Sequence, residues 1–194
     1  PGELINTFVN QLPVFVLGKY FSTDMVGQYN LGTRLLSMPS QIISQSVGEV
    51  FRQKASEDYN AIGNCKRIFL KTALSLGAVS LLPFLILILW SPELFGFFFG
   101  GKWTLAGKFV TIMSVMYLLR FIVSPLTFVC FIVRKNYVSL LGTIYYAISS
   151  IGLSIVLVKE EASVFTLLWF YVINFASVYL VMFLLNYKFS KGSK

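Results

Sequence analysis

The stretch IFLKTALSLGAVSLLPFLILILW, residues 68–90, decides the fold. Beyond Lys71 it carries no charge, and a helix needs about 20 mostly apolar residues to cross the ~30 Å hydrocarbon core of a bilayer. Helices close their own backbone hydrogen bonds, which lipid cannot do for them. Working outward from this run, five more stretches approach the same length. They give six expected spans at residues 4–20, 25–51, 68–90, 108–133, 137–158 and 164–187.

Composition agrees. Of 194 residues, 56% are hydrophobic and 12% charged, against roughly 25% charged in a soluble domain. So much apolar surface cannot be hidden in one core of this size. The expected fold class is an all-α integral membrane protein, a bundle of six transmembrane helices. The opening Pro1-Gly2-Glu3 has no initiator Met and no signal-peptide pattern, so the chain reads as a piece of a longer protein.

The net charge of +8 does not indicate nucleic acid, because the basic residues are scattered between apolar runs. They read as topology signals. Arg52, Lys54, Lys66, Arg67, Lys71, Arg134, Lys135, Lys188, Lys191 and Lys194 fall on one side of the six-span register, and Lys19, Lys102, Lys108 and Lys159 on the other. By the positive-inside rule the first group, with the C-terminus, is cytoplasmic. Trp90, Trp103 and Trp169 gather near the opposite interface. The polar connection between Arg52 and Arg67 is expected to be helical in character. The segment from Ser91 to Trp103, rich in Phe and Gly, is expected to lie in the interface.

Two charges remain, Arg34 and Arg120, both deep inside spans, where a cation costs at least ~2.5 kcal/mol. At 100° per residue, Gly27, Asn30, Arg34, Ser37, Gln41, Ser44, Gln45 and Gly48 share one face of the second span. Tyr117, Arg120, Ser124 and Thr127 align on the fourth, with Pro125 available to bend it, and Asn6, Asn10 and Pro13 on the first. Three helices are thus expected to enclose a polar, cationic cavity, with no carboxylate at mid-span; Asp24 and Glu49 sit near opposite ends of the second span. Substrate contact is assigned to Arg34, Arg120, Asn30, Ser37, Gln41, Gln45 and Asn10. Arginine holds its charge at any accessible pH and its planar fork suits phosphate oxygens, while amides and hydroxyls suit sugars. An arginine pairing only with another helix, and a polar stripe serving only helix packing, stand as alternatives. The run Ser139, Gly142, Thr143, Ser149, Ser150, Gly152 and Ser154 is expected to let helices pack closely.

Parts for enzymatic chemistry are few: no His, no P-loop, no Gly-x-Ser-x-Gly and no paired carboxylates on one span. Cys65 and Cys130 lack metal-ligand spacing. No catalytic residue, metal or cofactor is expected.

Residues 17–22 (LGKYFS), 26–31 (VGQYNL) and 34–39 (RLLSMP), then 95–107 (FGFFFGGKWTLAG) and 119–126 (LRFIVSPL), resemble the Wzx-type polysaccharide and O-antigen flippases of the MOP exporter superfamily. The likeness runs from about residue 8 to 135; the last two spans share only spacing. It implies that residues 1–194 are the C-terminal six-helix lobe of a twelve-helix transporter of the bacterial inner membrane. Such a transporter would flip an undecaprenyl-pyrophosphate-linked oligosaccharide by alternating access, with Arg34 and then Arg120 holding the pyrophosphate. As partners it implies the lipid-linked oligosaccharide, the bilayer and an N-terminal six-helix lobe, and leaves room for a polysaccharide polymerase and a chain-length regulator. The alternatives are a multidrug or cation exporter of the same superfamily, which should show a carboxylate facing the cavity, a membrane-embedded polysaccharide-assembly enzyme, and an accessory membrane protein.

Overall fold

The computed structural model describes residues 2–192, with side chains from Thr7 onward. The side chain of Asn6 and all of Lys194 lie outside the described residues. The chain is all helical: α1 Gly2–Tyr20, α2 Thr23–Ile62, α3 Lys66–Phe99, α4 Thr104–Leu126, α5 Phe128–Ile132, α6 Asn136–Lys159 and α7 Val164–Ser190, with a 3-10 turn at Gly101–Trp103. α3, the stretch Gly101–Ile132, α6 and α7 are each long and apolar enough to cross a membrane. The other two long helices, α1 and α2, carry the polar stripes. The protein is a multi-pass membrane protein of about six spanning helices.

Three elements depart from the expected spans. α2 runs past residue 51 through the polar connection, which is helical as expected, to Ile62, about 60 Å at 1.5 Å per residue. Its ends are well set. The Ser22 hydroxyl accepts from the Met25 amide at 3.2 Å. At the other end Gly63, at φ 72°, returns its amide to the Tyr59 carbonyl at 2.9 Å, a left-handed position that favours glycine. The aromatic segment 91–99 is the last part of α3, not a separate interfacial piece. The helix runs through Pro83 and Pro92 to Phe99 and ends at Gly100, φ 91°. Phe95 faces the core while Phe97 and Phe98 point outward. The fourth span breaks at Thr127, just after Pro125, into α4 and α5.

The centre of the bundle is α4, packed against α3, α2 and α7. Phe109, Val110, Met113, Phe121 and Leu126 along it are buried. Small residues set how closely its neighbours approach. A Cβ on Gly107 would lie 2.5 Å from both the Pro92 Cα and the Ser91 carbonyl oxygen, and one on Gly32 would lie 2.8 Å from a Val110 methyl. α6 and α7 are joined by a polar seam. Asn174 accepts from the Ser149 hydroxyl and donates to that of Ser150, each at 3.0 Å, and the Ser154 and Tyr171 hydroxyls bond to each other. α1 leans on α6 and α2. The end of α7 is fastened to the α2–α3 turn by the Cys65 amide donating to the Ser190 carbonyl at 2.8 Å.

These contacts set opposite expectations for two glycines. Gly107→Ala drives a methyl group into backbone atoms that cannot swing aside, and should cost about 1–3 kcal/mol. A Cβ on Gly27 meets nothing within 4 Å, so Gly27→Ala should gain up to about 1 kcal/mol of helix propensity. Thermal unfolding of the detergent-solubilised protein, read by loss of the monodisperse peak, should fall for the first and hold or rise for the second.

Candidate functional site: a trough with two arginines

α2 supplies the floor. Asn30, Arg34, Ser37, Gln41 and Gln45 follow one another at intervals of three or four residues, which keeps them on one face of a helix. Along that face lie two adjoining cavities. The larger, about 580 Å³, has Asn10 from α1, Asn30, Arg34, Ser37 and Gln41 from α2, and Arg120 from α4 among its lining. The smaller, about 360 Å³, shares Ser37, Gln41, Tyr117 and Arg120 with it and continues past Ser44 and Gln45 to Glu49 and Thr127. All seven sequence-assigned contact residues therefore line one polar trough.

The register between α2 and α4 fixes the spacing of the two cations. The helices run parallel, with Gln28 against Ala106, Gly32 against Val110 and Gly48 against Phe128. Arg120 is accordingly level with Gln41 and Ile42, about two helical turns beyond Arg34, or roughly 10–12 Å along the axis. The guanidinium of Arg120 sits 5.9 Å from the centre of the Tyr117 ring, within cation–π range. Arg34 is exposed to the trough. Among the described residues lining the larger cavity there is no carboxylate. Glu49 lines only the far end of the smaller one.

The hydroxyls and the amides of α2 differ in what they have left to offer. The hydroxyls of Thr33, Ser37 and Ser40 donate to carbonyls of their own helix, those of Tyr29 and Asn30, Arg34 and Leu36 respectively, a common use of such side chains within helices. Among the described residues, the side chains of Asn30, Gln41 and Gln45 form no hydrogen bond within the chain, so both halves of each amide are open to a ligand. Gln28 is the contrast. Buried, it donates to the Lys102 carbonyl at 2.8 Å and accepts from the Ala106 amide at 3.0 Å, tying α2 to the first turn of α4.

Sequence reading assigned three helices to the cavity, and the structure adds two. Tyr146 of α6 and Tyr171 of α7 line the larger cavity, as do Gln11 and Tyr29. Tyr146, Ser150 and Ser154 recur every four residues, but beside so many small residues the pattern reads as packing, which Ser150 and Ser154 do perform, and it does not mark Tyr146 as a lining residue.

Among the described residues no three of His, Cys, Asp or Glu come together as a metal would need. Cys65 and Cys130 are free and buried. Burial, with Asp58 adding to it, pushes the Cys65 thiol up to about 11, which keeps it protonated and unreactive at neutral pH.

Compared with known families, residues 2–107 match the model of a family described as polysaccharide biosynthesis protein. No curated protein and no solved structure matches the chain. The matched region covers α1–α3 and the first turn of α4, including Gln28, Arg34 and the amide face of α2.

The two kinds of glutamine should respond differently to substitution. Gln28→Leu strands the Ala106 amide and the Lys102 carbonyl, and should cost about 1–3 kcal/mol of stability. Gln41→Leu removes no hydrogen bond and should stay within about 0.5 kcal/mol. Chemical or thermal unfolding of both variants in the same detergent reads the difference.

Proposed function

From a chain that belongs to the polysaccharide biosynthesis protein family, over more than half its length, we infer a transporter lobe that moves a lipid-linked oligosaccharide across the bilayer. The cargo we propose is an undecaprenyl-pyrophosphate-linked repeat unit, as the Wzx-type flippases of the MOP superfamily carry. One observation carries this reading: Arg34 and Arg120 line a single polar trough whose larger cavity has no acidic side chain among its described lining residues. A cation-export path would place a carboxylate there.

The lipid tail needs no help, since it stays in hydrocarbon. The head group does, because phosphates and sugars leaving water lose several kcal/mol per unpaired polar group. Guanidinium groups compensate the phosphates with charge-assisted bonds, and the open amides of Asn30, Gln41 and Gln45 can donate to and accept from sugar hydroxyls. Two cations roughly 10–12 Å apart along parallel helices give the pyrophosphate two stations, one nearer each end of the path. Passing from one to the other avoids holding it so tightly at either that it cannot leave.

Alternating access needs an opposite wall, and a second six-helix lobe would supply it. The distribution of Lys and Arg supports a cytoplasmic C-terminus, and the likeness to the Wzx-type flippases supports a bacterial inner-membrane location. No bond is made or broken in this scheme, so the protein is a carrier and not an enzyme.

The test is surface polysaccharide in a host depending on the full-length protein, with its membrane level measured in parallel. A charge-assisted bond is worth about 1.5–3 kcal/mol, so Arg34→Ala should cut export about tenfold or more at normal protein level, and Arg34→Lys should retain part of it. Unchanged export in Arg34→Ala, or a loss matched by a fall in protein level, would make Arg34 structural.

A further inference from the structure

Away from the trough, α2 and α3 enclose a second cavity with a different character. It measures about 570 Å³, and Val47, Val50, Leu76 and Val79 form its walls. Lys54 and Lys71 stand at the end nearest the α2–α3 turn, beside Thr72. The slot runs along α2 from Ile43 to Lys54, about 16 Å of helix, which is half the ~30 Å hydrocarbon core. That is the depth of one leaflet.

The charges nearby are already sorted. Arg52 stacks on the Phe128 ring, 5.7 Å from its centre, and Gln53 occupies a Glu57 oxygen at 3.2 Å. Lys54 and Lys71 are exposed, and no carboxylate lines the cavity with them among the described residues. An apolar slot one leaflet deep with two ammonium groups at its polar mouth is complementary to one class of molecule. A packed helix from another protein would fill the apolar walls but would have to bring its own carboxylates to meet both charges.

We propose that this groove binds an anionic glycerophospholipid of the surrounding bilayer, its phosphate between Lys54 and Lys71 and an acyl chain along Val47 and Val79. Basic pockets between helices on the cytoplasmic side suit such head groups. Bound there, the lipid would brace the α2–α3 pair at the level of the Phe51 and Phe69 rings, whose centres are 6.5 Å apart. The site is separate from the trough and does not depend on what the trough carries.

Native mass spectrometry of the purified full-length protein, titrated with phosphatidylglycerol or with phosphatidylcholine of identical chains, tests the assignment. Each lysine should contribute about fivefold, so the wild type should prefer phosphatidylglycerol by about tenfold or more and Lys54→Gln/Lys71→Gln should abolish that preference. Lys66→Gln/Arg67→Gln, exposed cations at the same end but outside the groove, should leave it intact. The assignment fails if the preference survives Lys54→Gln/Lys71→Gln, or if the control pair removes it equally, which would indicate diffuse surface charge. It also fails if equimolar undecaprenyl pyrophosphate displaces the phosphatidylglycerol, because the groove would then hold the tail of the cargo.

Discussion

A guanidinium group inside a lipid-spanning helix has to be answered by water, by an anion or by a carboxylate, since hydrocarbon offers it nothing and the cost of leaving it bare is several kcal/mol. Here two such groups, Arg34 and Arg120, face the same trough, and its described lining answers them only with a tyrosine ring and, at one end, Glu49. Much of the surrounding architecture borders that space and leaves it open. Two of the helices that border it, α1 and α2, fall short of the apolar composition that marks the other spans. The hydroxyls of Thr33, Ser37 and Ser40 turn to their own backbone, while Asn30, Arg34, Gln41 and Gln45 face the trough.

An open trough needs a firm frame around it, and α4 provides one. Gly107 brings α3 into backbone contact, Gly32 brings α2 close, and Gln28 closes the top of the α2–α4 pair with two hydrogen bonds. Further along, Gly48 would place a Cβ 3.0 Å from the Phe128 ring and 3.8 Å from the Pro125 Cα, so the two helices meet again at the break between α4 and α5. Arg34 on α2 and Arg120 on α4 lie along the pair between these two contacts. α6 and α7, held together by their Ser–Asn and Ser–Tyr bonds, form the opposite side. The family match carries α1 and α2, which bring Asn10, Asn30, Arg34, Gln41 and Gln45 to the trough, while Arg120 on α4 lies beyond it.

The sequence made the helices and the polar face of α2 legible because both are periodic signals. A run such as 72–90 admits one reading, and Asn30, Arg34, Ser37, Gln41 and Gln45 at helical spacing predict a shared face without any knowledge of partners. The extent of α2 was harder to read. Residues 52–62 are polar and hydropathy has no term for a helix that leaves the bilayer and continues into water. Phe95–Phe99 look like an interfacial anchor because hydropathy and aromatic content do not tell a loop from the end of a helix, and Pro92 hides the continuity. Tyr146 and Tyr171 were unreadable as lining residues since which face of α6 and α7 meets α2 is decided by tertiary packing. The role of Gln28 depended on a contact 78 residues away in sequence, which no local pattern contains.

The central claim is that the two arginines hold the phosphates of a lipid carrier, and equilibrium binding of undecaprenyl pyrophosphate to the purified full-length protein addresses it most directly. Wild type and Arg34→Gln/Arg120→Gln would be compared at equal stability, with the neutral alcohol undecaprenol as the reference ligand. If the trough binds phosphate, the double substitution weakens the pyrophosphate lipid by about a hundredfold or more, at about 1.5–3 kcal/mol for each charged bond, and leaves undecaprenol unchanged. Equal affinity of wild type and variant for the pyrophosphate lipid would contradict the claim and leave the arginines without a role in recognition.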